Sequence, residues 1–281
     1  MRDSDQNGQE ISDMNSNKKI LKNGEVTIMT CGSIRIHVYS TKDALEDQVI
    51  VLEKPNKLMK VGKGVVIELP CFKNSIEEMT KYLDDEKIKV EGKFVAYHAA
   101  GNFLPGVKTY MTESAHKYNT VGGGKGLIDN FAGIFGDGFD STVTGDGERI
   151  VAGKLNVAGI EMVINPDNDA YEVEIPEANA IYMHMLGHDC HSIVAGAGHA
   201  DTIIANLKGY LDRGFEIFLS SHYGPETRED VETKIAYLED LKSIASGCSN
   251  AEEFTEKVNS KYPDYSGDNY LGMTAGFFFP Q

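Results

Sequence analysis

The order of strands and helices along the chain constrains its fold more than any other feature. Short apolar runs rich in β-branched residues, such as residues 64–69 (GVVIEL), are typical of buried strands. They occur in two similar halves of the chain, and each half ends in amphipathic helices, the clearest over residues 201–213 and 229–244. This order predicts two sheets packed face to face with helices outside. No Pro- or Ser-rich linker interrupts the sequence, so we expect one domain over residues 21–281.

Three segments depart from this pattern. The N-terminus is polar, which predicts a disordered tail over residues 1–20. Residues 120–147 are rich in glycine and predict a long mobile loop, either functional or a flexible excursion with no role. The C-terminal residues 276–280 (GFFFP) are unusually apolar for a tail. We expect them to pack on the body of the protein or on another subunit.

The composition restricts the class of partner. The formal net charge of -16 disfavours nucleic acid and anionic membranes, because an acidic surface repels phosphate groups. No apolar run approaches the roughly 20 residues that a membrane-spanning helix needs. The four cysteines form no CxxC pair and are interpreted as reduced thiols of a cytoplasmic protein. A small-molecule ligand is the expected partner, and a homo-oligomer stays open.

Four segments carry a family resemblance, and they come in the family's order. Residues 66–70 (VIELP) look like a strand that ends in Ile-Asp-Thr-Gly, and residues 94–98 (FVAYH) look like the strand that leads into an HxHxDH loop. Residues 175–182 look like the hairpin before a bridging aspartate, and residues 220–225 (SSHYGP) look like a Pro-Gly-His-Gly-Pro segment. In these features the chain resembles the metallo-β-lactamase superfamily.

The resemblance implies an α+β fold, a four-layer αββα sandwich with the metal ligands at one edge of the two sheets. His98 and His222 match two ligand positions of the family. We therefore expect them at the same sheet edge, no more than about two helical turns, or roughly 11 Å, apart.

The sequence departs from the family at its usual pair of metal ions. The window that corresponds to HxHxDH is residues 98–103 (HAAGNF). Only the first histidine is kept, because Ala100, Asn102 and Phe103 replace the second histidine, the aspartate and the last histidine. Alanine and phenylalanine have no donor atom, and a neutral amide is a poor ligand for a transition metal. A dinuclear site of the usual kind is therefore excluded.

A site with one metal ion stays possible on these residues. The family's bridging aspartate aligns with His184 or Met185, and its mid-chain histidine aligns near Asp167. His98, His184 and His222, with Asp167 in reserve, supply the three ligands that a catalytic zinc site needs. The ion would be zinc, iron or manganese. The alternative is that His98 and His222 are core histidines and that the protein binds no metal.

A second group of histidines follows His184 closely. Residues 188–192 (HDCHS) resemble a histidine-rich stretch of the superfamily's alkylsulfatase branch, in which these histidines help to line the site. If the protein is a hydrolase, we expect Asp167, His188 or His191 to act as a catalytic base or to orient the substrate. The alternative is a polar loop with no such role.

Two functions follow, and the sequence favours the second slightly. One is a metal-dependent hydrolase of an ester, lactone or sulfate ester with an altered mononuclear site. The other is an inactive member of the fold that acts as a ligand-binding or interaction protein. Residues 120–147 and the apolar tail near Phe277 would then form its working surfaces.

Overall fold

A computed structural model describes residues 16–56, 58 and 60–280. The described residues form strands β1 (Ser16–Ile20), β2 (Glu25–Cys31), β3 (Ile34–Ser40), β4 (Gln48–Lys54), β5 (Gly62–Ile67), β6 (Ile88–Phe94), β7 (Thr109–Met111), β8 (Glu148–Arg149), β9 (Gly153–Val157), β10 (Ile160–Pro166), β11 (Tyr171–Ile175), β12 (Ala180–Met183) and β13 (Ile217–Ser220). The helices are α1 (Lys73–Glu86), α2 (Glu113–Val121), α3 (Gly123–Phe135), α4 (Ala197–Asp212), α5 (Arg228–Ser246), α6 (Ala251–Lys261) and α7 (Asp268–Phe278).

The first sheet contains β1 to β8 in chain order. Its strands pair antiparallel from β1 to β5 and parallel from β5 to β8. A parallel pair needs a crossover connection, which α1 supplies between β5 and β6. Val65, Val66 and Ile67 of β5 are fully buried, so the prediction of a strand covered on both faces is confirmed.

The second sheet has the strand order β13-β12-β11-β10-β9. From β9 to β12 its strands pair antiparallel through tight connections. The two sheets touch through tyrosines of the second sheet. The Tyr171 hydroxyl donates to the carbonyl oxygen of Tyr110 at 3.1 Å, and the Tyr182 hydroxyl donates to the buried carboxylate of Glu68. The predicted pair of sheets is therefore present.

Helix α1 covers part of the first sheet with a face of helical spacing. Its buried residues include Met79, Tyr82 and Leu83, as their spacing predicts. The helix ends at Lys87, which adopts the left-handed conformation with φ of 57°. Ser75 lies inside the first turn, where its hydroxyl donates to Asp43 at 2.9 Å.

The prediction of a mobile loop over residues 120–147 is wrong, because this stretch contains helix α3. The helix places Ile128, Phe131 and Phe135 in an apolar cluster with Cys71 and Phe139. Glycine costs up to about 1 kcal/mol per helical position relative to alanine, and burial of the apolar face offsets that cost. The glycine content hid an i, i+3, i+7 apolar pattern.

The described chain groups into two compact units. The first contains the described residues through Met185 together with Leu219–Pro225, and the second contains Leu186–Phe218 and the described residues from Glu226 onward. The single domain over residues 21–281 stays a prediction. Of the tail predicted over residues 1–20, residues 1–15 lie outside the described residues, whereas Ser16–Ile20 pairs with β2 as a strand.

The C-terminal apolar residues belong to helix α7 and its end. In the second unit, Phe278 and Phe279 pack on Phe254, with ring centroids 5.5 and 5.8 Å away. Phe277 is half exposed. The expectation that this tail packs on the body is met for Phe278 and Phe279. Among the helices of the described residues, none has the length and apolar character to cross a membrane.

Candidate metal centre

Three histidines meet where three strands end. His98 follows β6, His184 follows β12 and His222 follows β13. Their ring centroids are 5.2 Å apart for His98 and His184, 4.8 Å for His98 and His222, and 5.0 Å for His184 and His222. One ring nitrogen from each lies within 4.8 Å of the others. The prediction that His98 and His222 share one sheet edge is confirmed.

The Glu68 carboxylate holds the backbone that carries His98. Glu68 follows β5, is completely buried and has a left-handed φ of 63°. Its two oxygens accept the backbone N–H groups of Tyr97 at 2.9 Å and His98 at 2.8 Å, and one also accepts the Tyr182 hydroxyl. A non-glycine residue in this backbone region costs about 1–3 kcal/mol and persists only where its surroundings fix it. Here the three hydrogen bonds to the carboxylate fix it.

The segments that carry His184 and His222 are joined to each other. The His184 carbonyl oxygen accepts the Ser221 N–H at 3.1 Å and the Ser220 hydroxyl at 3.2 Å. The His184 ring stacks on Tyr97, with centroids 4.0 Å apart and planes 15° from parallel. Both histidines are thereby held by groups close to them in space rather than in sequence.

Asp47 is a member of this site that the sequence analysis missed. It precedes β4 and is only 4% exposed. Its Oδ1 lies 3.6 Å from Nδ1 of His98 and 3.4 Å from Nδ1 of His222, and its Oδ2 lies 3.5 Å from the Cys71 thiol. No spacing in the sequence relates Asp47 to the histidines. The contact arises only in the folded chain, where Gln48 of β4 donates its N–H to Ser221, which follows β13 of the second sheet.

Burial keeps the three imidazoles neutral. It lowers the pKa of His98 to about 4 and, with the neighbouring His98, lowers the pKa of His222 to about 3. Burial and then the other two rings hold the pKa of His184 well below its usual value. Burial raises the pKa of the Asp47 carboxyl, and the nearby Asp43 adds to the effect. Neutral imidazole is the form that binds metal ions.

Solved structures of the same architecture are found by comparison of folds. A beta-lactamase domain protein from Burkholderia ambifaria matches with a TM-score of 0.58 and 10% identity, over 88% of this chain and 84% of that one. A metallo-beta-lactamase family protein from Thermus thermophilus gives 0.56 and 12%, over 88% and 91%. A metallo-beta-lactamase from Erythrobacter litoralis, with beta-mercaptoethanol in its active site, gives 0.52 and 12%, over 80% and 100%.

The chain has the metallo-β-lactamase fold. The resemblance drawn from the sequence is thereby confirmed at the level of the fold, and so is the predicted α+β class. No protein-family model matches the chain, and no curated protein matches it by sequence.

In this metallo-β-lactamase fold, the segment that corresponds to HxHxDH is residues 98–103, and side-chain burial and hydrogen bonds hold it in place. Phe103 is fully buried, and its carbonyl oxygen accepts the Lys93 ammonium at 2.9 Å. Ala100 forms a β-bridge with Val143. The Asn102 N–H donates to Asp140 at 3.0 Å. Among the described residues of this segment, His98 alone belongs to the histidine group.

Asp167 lies outside the group of three histidines. Its carboxylate accepts the Tyr97 hydroxyl at 2.9 Å and closes a turn by accepting the N–H groups of Asp169 and Ala170. Asp167 is linked to His184 through Tyr97, whose ring stacks on the imidazole. Asp167 as a metal ligand stays a prediction that this geometry does not favour, since its oxygens are engaged in the turn.

His188 and His191 belong to the second compact unit. Nδ1 of His188 lies 2.8 Å from the Glu226 carboxylate, and this hydrogen bond, the largest cause, raises the pKa of His188. His191 is buried, and its Nδ1 lies 2.9 Å from the Tyr237 hydroxyl. Both rings have structural partners there, and their catalytic role stays a prediction.

The donor set fits a single divalent transition metal. Nδ1 of His98 and Nδ1 of His184 are buried without a hydrogen-bond partner among the described residues. A buried polar atom left unpaired costs about 1–3 kcal/mol, which coordination or a new hydrogen bond would offset. Three neutral imidazoles are also the protein ligands of known catalytic zinc sites. His98, His184 and His222 are therefore the residues that would hold the ion.

Proposed function

We propose that the chain is a mononuclear metal-dependent hydrolase of a small-molecule ester, lactone or sulfate ester. The observation that carries the proposal is the convergence of His98, His184 and His222, whose ring nitrogens approach within 4.8 Å of one another. Zinc is the first choice of ion, because three imidazoles form known catalytic zinc sites. Iron also accepts imidazole ligands, whereas manganese, the third candidate, prefers oxygen ligands.

A bound divalent ion would act as a Lewis acid on the scissile bond and lower the pKa of a water molecule toward neutrality. The chain's own residues supply the rest. Glu68 fixes the backbone of His98 by its hydrogen bonds to Tyr97 and His98. Tyr97 supports the His184 ring by stacking. These contacts hold the imidazoles in place before any substrate arrives, and such preorganisation is what a reactive site requires.

The proposal specifies one ion rather than two. Ala100 and Phe103 offer no donor atom at the positions that would serve a second ion, and Phe103 is fully buried. Three protein ligands leave a coordination position for substrate or water. Single-metal chemistry on an activated ester is compatible with such a site.

A ligand-binding or interaction protein without catalysis is the second candidate. The loss of donor atoms at Ala100 and Phe103 supports it. One surface assigned to it, the supposed mobile loop over residues 120–147, instead contains helix α3 packed in an apolar cluster. The proximity of three neutral histidines makes the hydrolase the better supported of the two.

The test compares two histidine variants. His222→Ala removes one of three ligands and is expected to abolish stoichiometric metal, because two imidazoles seldom compete with water and buffer. His116→Ala is the matched control, since His116 lies on helix α2 and is not in the histidine group. Elemental analysis of protein purified without chelator gives the metal content. Hydrolysis of ester, lactone and sulfate-ester panels gives the activity.

Three results would contradict the proposal. A parent protein that takes up no zinc, iron or manganese would remove its basis. Equal metal retention by the two variants would refute the ligand assignment. A metal-loaded parent that hydrolyses none of the panel, while binding small esters or lactones unchanged, would favour the second candidate.

A further inference from the structure

The carboxylate of Asp47 faces two of the three histidines. Its Oδ1 lies 3.6 Å from Nδ1 of His98 and 3.4 Å from Nδ1 of His222. Asp47 is more than nine-tenths buried, and among the described residues no lysine or arginine forms an ion pair with its carboxylate. A buried carboxylate is costly unless charges or N–H groups satisfy it. Oδ1 of Asp47 therefore needs a favourable interaction with the two imidazoles or with an ion that they bind.

The backbone is built to hold Asp47 at this place. The Thr41 N–H donates to the Asp47 carbonyl oxygen at 3.0 Å, which closes the turn before β4. The next residue, Gln48, donates its N–H to the Ser221 carbonyl oxygen at 2.7 Å, beside His222. Glu46, immediately before Asp47, has a left-handed φ of 52°. Strain of this kind persists where the surrounding structure fixes it, and it is common at functional sites.

We infer that Asp47 is a positioning residue for the metal ion. When the ion binds, Oδ1 of Asp47, which lies 3.6 and 3.4 Å from the two Nδ1 atoms, would accept Nδ1–H from both His98 and His222 and so present Nε2 of each ring to the ion. A histidine that donates one ring N–H to a carboxylate is fixed in a single tautomer, and its other nitrogen becomes a more basic ligand. One carboxylate shared by two rings also fixes their orientation relative to each other. The inference rests on the proposed metal site and adds a residue from the turn before β4, outside the segments in which ligands were predicted.

Asp47 also reduces the electrostatic cost of the ion. Three neutral imidazoles carry no charge to balance a divalent cation. Burial raises the pKa of Asp47, so its proton would leave when the ion binds. The carboxylate would then supply one negative charge next to two of the rings, where burial weakens screening by solvent. Cys71, whose thiol donates to Oδ2 at 3.5 Å, leaves Oδ1 for the two imidazoles.

The experiment measures metal affinity in Asp47→Asn and Asp43→Asn variants of the full chain. Asp43 is the matched control because it lies in the same turn, where it accepts the Leu45 N–H and the Ser75 hydroxyl. Zinc dissociation constants come from competition with a chromophoric chelator. Loss of such a carboxylate partner costs typically 10- to 100-fold in metal affinity. We expect that loss for Asp47→Asn and a change of less than about threefold for Asp43→Asn. The cobalt-substituted Asp47→Asn variant should also show an altered visible absorption spectrum.

A second measurement needs no variant. Proton–nitrogen correlation spectra of the histidine rings in the zinc-loaded parent should show His98 and His222 protonated at Nδ1 and bound through Nε2. Ligation through Nδ1 in either ring would overturn the inference. So would an affinity of Asp47→Asn equal to that of Asp43→Asn, and in both cases the proposed metal site survives. A parent that binds neither zinc nor cobalt would overturn the proposed function and this inference together.

Discussion

Replacement of Glu68 by glutamine changes one atom of a buried carboxylate and should destabilise the protein strongly. The Glu68 side chain accepts the N–H groups of Tyr97 and His98 and the Tyr182 hydroxyl, and it is completely buried. In the variant, the amide NH₂ replaces one acceptor oxygen. It would face a backbone N–H group, so that two donors meet where a donor and an acceptor met before.

The size of the effect follows from these contacts. A hydrogen bond to a charged group contributes about 1.5–3 kcal/mol, and a buried donor left unpaired costs about 1–3 kcal/mol. Loss of one such bond, with the other contacts weakened, should cost about 2–4 kcal/mol. A domain of roughly 150–250 residues loses roughly 2–4 °C of Tm for each kcal/mol. The expected fall in Tm is therefore about 4–16 °C.

Thermal unfolding followed by circular dichroism, in the presence of chelator, measures this difference without a contribution from metal. Glu161→Gln is the control, because Glu161 forms only an exposed ion pair with Lys154 at 2.9 Å. Exposed pairs contribute about 0–1 kcal/mol. If Glu68→Gln melts within about 2 °C of Glu161→Gln, then Glu68 does not fix the His98 backbone in the way argued above.

Two further predictions concern stability. The pKa values of His98 and His222, about 4 and about 3, lie below the ordinary value of 6.5, so the unfolded chain binds protons first as the pH falls. Between about pH 7 and about pH 5, the metal-free protein should lose about 2 kcal/mol of unfolding free energy per histidine, measured by urea unfolding. An unchanged dependence of the unfolding free energy on pH in His222→Gln would contradict this. In helix α5, Thr227 and Asp230 form a capping box. Thr227→Ala should lower the free energy of unfolding by about 1 kcal/mol. The control Thr233→Ala, at an exposed position of the same helix, should lower it by nearly nothing. Equal urea-unfolding midpoints for the two variants would argue against the cap.

Local patterns in the sequence were sufficient for most of the strands and for the amphipathic helices α4 and α5, whereas β1 lies in the segment predicted as a tail. The buried run 64–69 predicted β5 because the apolar character of a strand covered on both faces is a property of adjacent residues. His98 and His222 were found in the same way, since each directly follows an apolar strand. The order of these strand ends was enough to place the two rings at one sheet edge, where their centroids are 4.8 Å apart.

Helix α3 shows where composition misled the sequence analysis. Its glycines indicated a loop, and their intrinsic preference does favour one. The helix is stabilised by the burial of Ile128, Phe131 and Phe135 against Phe72 and Phe139. Phe72 and Phe139 both lie outside the helix, so their contribution to its stability is not visible in the helix's own sequence.

The sequence by itself determined most of the strands, the amphipathic helices α4 and α5, the fold family that the chain resembles, and the three histidines that converge. Only the tertiary structure decided that Asp47 faces His98 and His222, that Asp167 turns instead to Tyr97, and that α3 is a helix. The physical reason is one of range. Strand and helix periodicity is set by neighbours a few residues apart, whereas Asp47 and His222 are 175 positions apart and meet only because two strands bring them together.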